Sequence, residues 1–545
     1  MAEQGESKPT GHTLFETKLE IHDRKQFELK LEYQPSGTDP QSEYLVETLL
    51  FVPRSLNVTP DTWPRAAFYA DLHNYVRLKT PVLAFDELLT GAHSPLVQLQ
   101  ERIMIGLNGP ESEVIYDAKM LACVLRAALR RFAKGMKDHC AILANGHHPD
   151  SFELLQRLAR RSVSATQQVL TRFRSTAAQL NGKYTLGEKT KASLRLVDEY
   201  LSLLVEHYFR RVVVQMERLP RSGVCAELRR ELMGVVISDE SYRKLNRFPS
   251  VIAPDSDNEE YTHRISFLKK FCMNILFLKV MRSSARKSWE ELAFAFSAGT
   301  AMALALGVSL LAQSNSATNA TSTFFMVAVF AYVLRDRAKE AMQKFFSTYA
   351  GRFLYERTTR IQDPVTHDSV GVCKERVDYD SAVVVPPDIR AMRSQDDLIT
   401  VAQGEVPETV IRYRKHITLD SQMLPRIADG LVAGVTDIIR LNVERMLHDM
   451  DDPEYALDYV DLDDFSVERL KASKAYRVDM AFRFSVDDGK HKETKTRLVR
   501  LVLDRNGIKR MTEIFAQSER ALPTPPAQEP VSAPSEAAPV KLAQL

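Results

Sequence analysis

Residues 292–334 restrict the possible folds of this chain more than any other stretch, because they include no Asp, Glu, Lys or Arg. In the chain as a whole, 26% of the residues carry one of these charges. Residues 292–312 are numerous enough to cross a ~30 Å hydrocarbon core as one helix, and a second apolar run ends at Leu334. The pattern predicts a two-span transmembrane helical hairpin. A buried helical pair in a large water-soluble protein is the alternative.

Basic residues flank both predicted spans, whereas the polar link between the spans has no Lys or Arg. The flanking cations are Lys279, Arg282, Arg286 and Lys287 before the first span, and Arg335, Arg337, Lys339 and Lys344 after the second. Positive charge close to a span retains its flank on the cytoplasmic side of a membrane. We therefore expect a multi-pass protein of the cell inner membrane, in contact with the lipid bilayer and with cytoplasmic N- and C-termini.

The first predicted span has a small residue at every fourth position, namely Ala295, Gly299, Ala303 and Gly307. In lipid, helices associate by close approach of their backbones across such residues. We expect this face to pack either against the second span or against another copy of the chain in a homo-oligomer.

Composition places further limits on the chain. Its 545 residues suffice for about three or four domains. The net charge of +2 gives no overall electrostatic reason to expect a nucleic-acid partner. The five cysteines form no CxxC pair and are typical of a reducing cytoplasm.

Hydrophobic periodicity predicts a mixed fold, in which a helical bundle and the hairpin are flanked by N- and C-terminal α+β modules with antiparallel strands. The expected segments are an N-terminal α+β module at 1–95, a cytoplasmic helical bundle at 112–290, the transmembrane hairpin at 291–334, a juxtamembrane amphipathic helix at 335–360, a C-terminal α+β domain at 361–520 and a disordered Pro/Ala-rich tail at 521–545.

Local patterns predict individual elements within these segments. Alternating apolar residues predict a β-hairpin over 15–33 and strands over 476–503. Asn506-Gly507 is typical of a tight turn between strands. The bundle helices have the apolar spacing of an antiparallel bundle or coiled coil, and a further helix is expected over 424–448.

Three short fragments are FYADLHNYVRLKTP at 68–81, YVLRDRAKE at 332–340 and NGIKR at 506–510. They resemble uncharacterised bacterial proteins with a central two-span membrane hairpin. The resemblance implies the layout of two cytoplasmic arms around a hairpin, and it implies no activity.

Two groups of residues are candidates for metal binding or catalysis. His147 and His148, before Asp150, are adjacent, and adjacent histidines in a strand or loop point apart, so a metal there would need further ligands; the alternative is an exposed loop whose Asp150 caps the next helix. The stretch 449–468 is rich in Asp and Glu, which suits Ca²⁺ or Mg²⁺. Because Pro453 interrupts the spacing of a calcium loop, a solvated acidic loop or a docking surface for a basic partner is the preferred interpretation.

Arginines form basic faces on the first two bundle helices, namely Arg126, Arg130 and Arg131 on the first, and Arg157, Arg160, Arg161, Arg172 and Arg174 on the second. Such faces can contact anionic lipid headgroups or the phosphates of nucleic acid. Headgroup contact fits the predicted hairpin better, and an ordinary polar helix surface is the simplest alternative.

The sequence has no GxxxxGK[ST], GxGxxG, GxSxG, HExxH or CxxC motif. No catalytic, cofactor-binding or metal-binding residue is therefore assigned, and no cofactor is expected. The preferred hypothesis is a membrane-anchored scaffold or interaction protein with an unknown cytoplasmic protein partner. The alternative is a membrane-tethered enzyme of unknown reaction, whose site is assembled from dispersed His and carboxylate residues.

Overall fold

The computed structural model describes a set of ranges of the chain. These are 15–34, 40–105, 110–144, 149–219, 224–283, 285–314, 321–353, 355–364, 367–380, 385–393, 408–423, 431–432, 434–461, 466–487 and 492–514. The predicted tail at 521–545 and the predicted His147–His148 pair lie outside the described residues.

Strands predominate at the two ends of the described chain, and most of the helices lie between them. The strands are β1 Phe15–Ile21, β2 Gln26–Tyr33, β3 Gln41–Pro53, β4 Leu72–Leu78, β5 Lys279–Ser283, β6 Arg357–Gln362, β7 Ser369–Asp380, β8 Glu408–Asp420, β9 Val435–Asn442, β10 Glu454–Val460, β11 Val467–Ser473, β12 Tyr476–Asp487, β13 Lys492–Asp504 and β14 Gly507–Ile514. The helices are α1 Arg65–Asp71, α2 Phe85–Thr90, α3 Pro95–Ile105, α4 Glu111–Ala144, α5 Pro149–Lys183, α6 Glu188–Gln215, α7 Val224–Leu245, α8 Glu259–Met273, α9 Ala285–Ser314, α10 Thr321–Phe353, α11 Pro387–Arg393 and α12 Glu444–His448.

Strands from the two ends of the chain share two antiparallel sheets. The large sheet has the order β14-β13-β12-β3-β8-β7-β6-β5, and the small sheet has the order β1-β2-β9-β4. N-terminal β3 lies between C-terminal β12 and β8, and N-terminal β2 pairs with C-terminal β9. The predicted hairpin of β1 and β2 is present. The predicted Asn506-Gly507 turn is present too, with Gly507 at a φ of 132° that favours glycine.

A buried polar cluster joins the facing sheets. Lys415 of β8 donates to Asp437 of β9, with 2.7 Å between Nζ and Oδ1, and both side chains are almost fully buried. Nearby, the Tyr413 hydroxyl donates to Glu375 at 2.5 Å, and Asn74 of β4 donates to that hydroxyl at 3.1 Å. Because breaking a buried ion pair leaves an uncompensated charge, these contacts fix how the small sheet sits on the large one.

The helical bundle is built mainly from α4, α5 and α6 with α7 and α8 beside them, as the long-period apolar pattern predicts. Phe132 of α4 and Phe209 of α6 meet in its core with ring centroids 5.5 Å apart. Arg264 of α8 forms a two-bond ion pair with the fully buried Glu199 of α6, at 3.1 and 2.7 Å. The core of the bundle is continuous with the apolar residues between the two sheets.

The predicted membrane hairpin is occupied by α9 and α10, which pack against each other. Within the described part of the chain, none of the helices combines the length and the apolar character that crossing a membrane requires. In α10 the apolar part from Thr321 to Leu334 is only about 20 Å long at 1.5 Å per residue, short of a ~30 Å core, and Arg335 and Asp336 follow in the same helix.

This finding corrects several predictions together. The two-span transmembrane hairpin, the multi-pass inner-membrane location and the function as a membrane-anchored scaffold are wrong, and so is the membrane-tethered form of the enzyme hypothesis. The mixed α+β architecture with antiparallel strands is confirmed.

The four-residue series Ala295, Gly299, Ala303 and Gly307 of α9 faces away from α10. Ala295, Gly299 and Ala303 are exposed, and a Cβ atom added to Gly299 would meet no heavy atom of the described residues within 4 Å. The buried residues of the pair include Ser297 and Ala301 instead, while large apolar side chains of both helices are exposed. The contact between α9 and α10 therefore does not use the Ala295/Gly299/Ala303/Gly307 face, and the homo-oligomer through it stays a prediction.

The segment expected as a helix over 424–448 is different in the structure. Residues 435–442 form β9, and residues 444–448 form a helix, while 424–430 and 433 lie outside the described residues. β9 lies inside the small sheet between β2 and β4, and most of its residues are buried. A strand buried on both faces loses the two-residue alternation, so its apolar pattern cannot be distinguished from that of a helix.

A candidate anion-binding cleft

One wall of a large cleft is a row of side chains on the small sheet. Glu32 of β2 and Arg77 of β4 both pair with Thr436 of β9, so the three lie side by side across three strands. Since successive residues of a strand point to opposite faces, Asp437 lies on the other face, where it meets Lys415. The small sheet therefore uses one face to pack on the large sheet and presents the other to the cleft.

The opposite wall is formed by α4. Arg126, Arg130, Lys134 and Lys137 are spaced by four, four and three residues, so they lie on one stripe of the helix. A different side of the helix carries buried apolar residues such as Leu129 and holds α4 in the bundle. The apolar packing thus fixes which side of the helix its cations occupy.

Helix α6 completes the cleft with Tyr208, Arg211 and Gln215, which share one helix face. The cavity has a volume of about 570 Å³, within the range of small-molecule sites. Its lining has eight basic side chains and one carboxylate: Arg77, Lys79, Arg126, Arg130, Arg131, Lys134, Lys137 and Arg211, with Glu32. We call this cavity the basic cleft.

The cations of the basic cleft are hardly neutralised. Lys79 lies 3.3 Å from the carboxylate of Glu32, but the other seven have no carboxylate within 4 Å in the described ranges. Arg126 contacts the Met273 sulfur at 3.3 Å, and Arg131 donates to the Leu83 carbonyl. Neither contact cancels a full charge, so the cleft is strongly positive.

Several buried polar atoms of the cleft wall have no hydrogen-bond partner among the described residues. They are Thr436 Oγ1, Arg77 Nε and Gln215 Oε1. Thr436 is only 1% exposed although it lines the cavity. Since buried polar atoms of folded proteins are nearly always paired, these atoms offer both donors and acceptors to a molecule inside the cleft.

The surroundings also lower the proton affinity of basic groups at the cleft. Burial lowers the pKa of Arg77; the carboxylate of Glu32 opposes this shift, and the positive charge of Arg126 adds to it. Burial, then Arg211 and Arg126, hold the pKa of His207 below its ordinary value. The mutual effect of these cations shows that they share one electrostatic environment, which an anion would stabilise.

The structure separates the two arginine faces that the sequence predicted. Arg126, Arg130 and Arg131 of α4 line the basic cleft. Most of the arginines of α5 are ion-paired: Arg157 with Glu153, Arg160 with Glu231, Arg161 with Asp86, and Arg174 with Asp198 and Asp239. Arg172 donates to the Leu89 carbonyl at 2.8 Å. Four of the five arginines on the second face therefore have a carboxylate partner, whereas none of the three on the first face has one within 4 Å among the described residues.

The acidic stretch 449–468 lies largely in an exposed two-stranded hairpin, where its residues are described. Residues 454–460 and 467–473 form the two-stranded sheet β10–β11, whose residues are nearly all exposed. Its carboxylates and those just before it are dispersed among basic partners: Asp451 with Lys474, Asp452 with Arg505, Glu454 with Lys471, and Asp458 with Arg469. Within the described residues, no group of three or more His, Cys, Asp or Glu side chains could hold a metal ion.

Comparisons with known proteins identify no relative: no family model matches the chain, and neither a curated protein nor a solved structure does. The resemblance to bacterial proteins with a central hairpin therefore stays a prediction. Any function must be argued from the geometry of this chain.

The sequence pattern indicated three cations of the basic cleft, Arg126, Arg130 and Arg131, and did not indicate the other five. Lys134 continues the four-residue spacing of Arg126 and Arg130, and Lys137 follows three residues later, so the helix period predicts that they share one stripe. Arg77 has no such signal, because its place depends on the pairing of β4 with β9, more than 350 residues later (436 − 77).

Proposed function

We propose that this protein binds a phosphorylated, multiply charged small molecule in the basic cleft. The observation that carries the proposal is the group of seven cations around one cavity with no carboxylate of the described residues within 4 Å of them, while Glu32, the carboxylate of the lining, pairs with Lys79. A cleft lined by one sign of charge concentrates ligands of the opposite sign. In the empty protein these cations repel one another, and an anion with several charged oxygens removes that repulsion.

The residue types favour phosphoryl groups among anions. An Arg guanidinium donates two parallel hydrogen bonds to phosphate oxygens, and Lys binds them as a point charge. The cleft has both, with Arg126 and Arg130 beside Lys134 on the stripe of α4. Arg77 faces them from the sheet, so a ligand in the cleft would contact the bundle and the small sheet together.

Calorimetric titration of the full chain with inorganic pyrophosphate tests the proposal. We expect saturable binding at one site, weakened by added KCl because salt screens exposed charges. The double variant R126Q/R130Q should lower the affinity at least ~10-fold, since each charge-assisted hydrogen bond contributes more than about 1 kcal/mol.

The matched control is R157Q/R160Q on α5, which removes the same charge from exposed, already paired arginines. Its affinity for pyrophosphate should stay within about twofold of the unmodified chain. Circular dichroism of both variants checks whether they are folded. Failure of the intact chain to bind pyrophosphate at millimolar concentration, or equal weakening in both variants, contradicts the proposal.

A further inference from the structure

A second cavity opens beside the basic cleft, between α6 and α8. Its volume is about 480 Å³. Apolar and aromatic side chains form most of its wall, including Leu203, Leu204 and Val214 of α6, and Tyr261 and Ile265 of α8. Val214 is 55% exposed, so apolar surface is left in contact with water in the empty protein. We call this cavity the apolar cleft.

The two cavities are continuous. Arg126, Tyr208 and Arg211 line both, and Arg126 and Arg211 therefore lie at the boundary between them. The combined trough has most of its cations on α4 and the small sheet and most of its apolar side chains on α6 and α8, where Arg210 and Lys269 add two further cations. A ligand that fills it must carry negative charge at one end and hydrophobic surface at the other.

The side chains that line the apolar cleft suit an aliphatic group of the ligand better than a nucleobase. Its described residues include no Asn, Gln, Asp or Glu side chain. Proteins use such amides to read the polar edge of adenine and such carboxylates to read that of cytosine. An aliphatic group needs no hydrogen bonds, and its transfer from water is favourable in proportion to the area buried.

We propose that the ligand is a monomeric phosphorylated amphiphile. Its phosphate head occupies the basic cleft, and its aliphatic chain lies in the apolar cleft between α6 and α8. This inference rests on the proposed function, because the phosphate head is the group that the basic cleft binds. It adds the chemical class of the rest of the ligand.

The test compares ethyl phosphate with octyl phosphate, titrated into the full chain below the micelle concentration. The phosphate heads of the two ligands are alike, so any difference in affinity comes from the alkyl group. Octyl phosphate should bind at least ~10-fold more tightly, because a fully buried methylene raises affinity up to about fourfold. The variant V214N/I265N should lose this advantage and keep its affinity for pyrophosphate.

The matched control is I237N on α7, which changes an exposed isoleucine (58% exposed) outside both clefts. This variant should still bind octyl phosphate more tightly than ethyl phosphate. If the protein binds pyrophosphate but binds ethyl and octyl phosphate equally well, the amphiphile proposal is wrong and the proposed function still holds. Tighter binding of adenosine monophosphate than of octyl phosphate also overturns the amphiphile proposal. The amphiphile proposal is also wrong if the protein binds phosphatidic acid vesicles but binds octyl phosphate no more tightly than ethyl phosphate. If the protein does not bind pyrophosphate, both the proposed function and this inference are wrong.

Discussion

Helices α4 and α5 follow each other in the bundle and both carry several arginines, yet these arginines have different surroundings. On α5, Arg174 lies 3.0 Å from Asp198 and 3.0 Å from Asp239, and its guanidinium stacks on Tyr242. On α4, Arg126 and Arg130 have no carboxylate beside them among the described residues and face a cavity. The comparison shows that the same residue type stabilises the fold on one helix and is available for binding on the next.

The difference arises from carboxylates that are distant in sequence. Asp239, on α7, is nearly buried and pairs with Arg174. The side of α4 that carries Arg126 faces the small sheet, where Glu32 is the carboxylate of the cleft lining. Substitutions on the two helices should therefore affect different properties, stability on α5 and ligand affinity on α4.

The largest effect is expected for R174Q. It leaves the buried carboxylate of Asp239 without its cation, and breaking such a pair costs about 3 kcal/mol of the free energy of unfolding. Urea unfolding followed by circular dichroism measures the loss. The control R157Q removes an exposed arginine paired with an exposed glutamate and should change stability by less than about 0.5 kcal/mol. A similar small loss for R174Q would remove the distinction between the helices.

The next effect concerns Glu32, the carboxylate that opposes the cations of the basic cleft. E32Q removes one negative charge from the cavity wall and releases Lys79, whose Nζ lies 3.3 Å from that carboxylate. Pyrophosphate should bind about fivefold more tightly, an effect of roughly 1 kcal/mol. Calorimetric titration measures it. Unchanged or weaker binding would show that Glu32 does not set the charge of the cleft.

A smaller effect is expected on the stability of the empty protein. R126Q/R130Q removes two like charges four residues apart on α4, and such pairs destabilise helices by a few tenths of a kcal/mol. Without ligand, this variant should be equally stable or more stable by about 0.5 kcal/mol. It should also lose the stabilisation that pyrophosphate gives the unmodified chain. Thermal unfolding with and without pyrophosphate tests both points, and a marked destabilisation would indicate a structural role like that of α5.

The smallest effect is a pH dependence at His207, which lies at the apolar cleft. Burial, Arg211 and Arg126 lower the pKa of His207, so the side chain is neutral at pH 7.5. As the pH falls through this lowered pKa, the imidazole gains a positive charge, and anion affinity should rise about twofold once the imidazole is protonated. Sulfate keeps its charge over this range and is a suitable probe. The rise should be absent in H207Q, and an equal rise there would assign it to another group.

The sequence predicted the elements better than their arrangement. The long helices α4, α5 and α6 and the hairpin of β1 and β2 have clear periodicity, and the structure has them. The strand β9 was expected as part of a helix because it is buried on both faces. The apolar residues 292–334 were expected to cross a membrane, since hydropathy alone does not show that charged residues continue the same helix beyond Leu334.

The candidate site was only partly predictable for the same physical reason. The i, i+4 spacing on α4 places cations on one stripe, but it does not show whether carboxylates cover them. Arg160 and Arg130 have similar local sequences, with Arg161 and Arg131 next to them. Glu231 pairs with Arg160, whereas Arg130 lines a cavity. Only the packing of helices and sheets distinguishes these two arginines.

The position of β3 in the large sheet has a consequence for the order of events during synthesis. β3 ends at Pro53, but its partners β8 and β12 begin at Glu408 and Tyr476. The ribosome must add about 355 residues (408 − 53) before β3 can pair, which takes roughly 20–70 s at 5–20 residues per second. The bundle, with its more local contacts, can fold in that interval. A nascent chain that stalls before β8 would expose unpaired strand edges, and such edges promote aggregation.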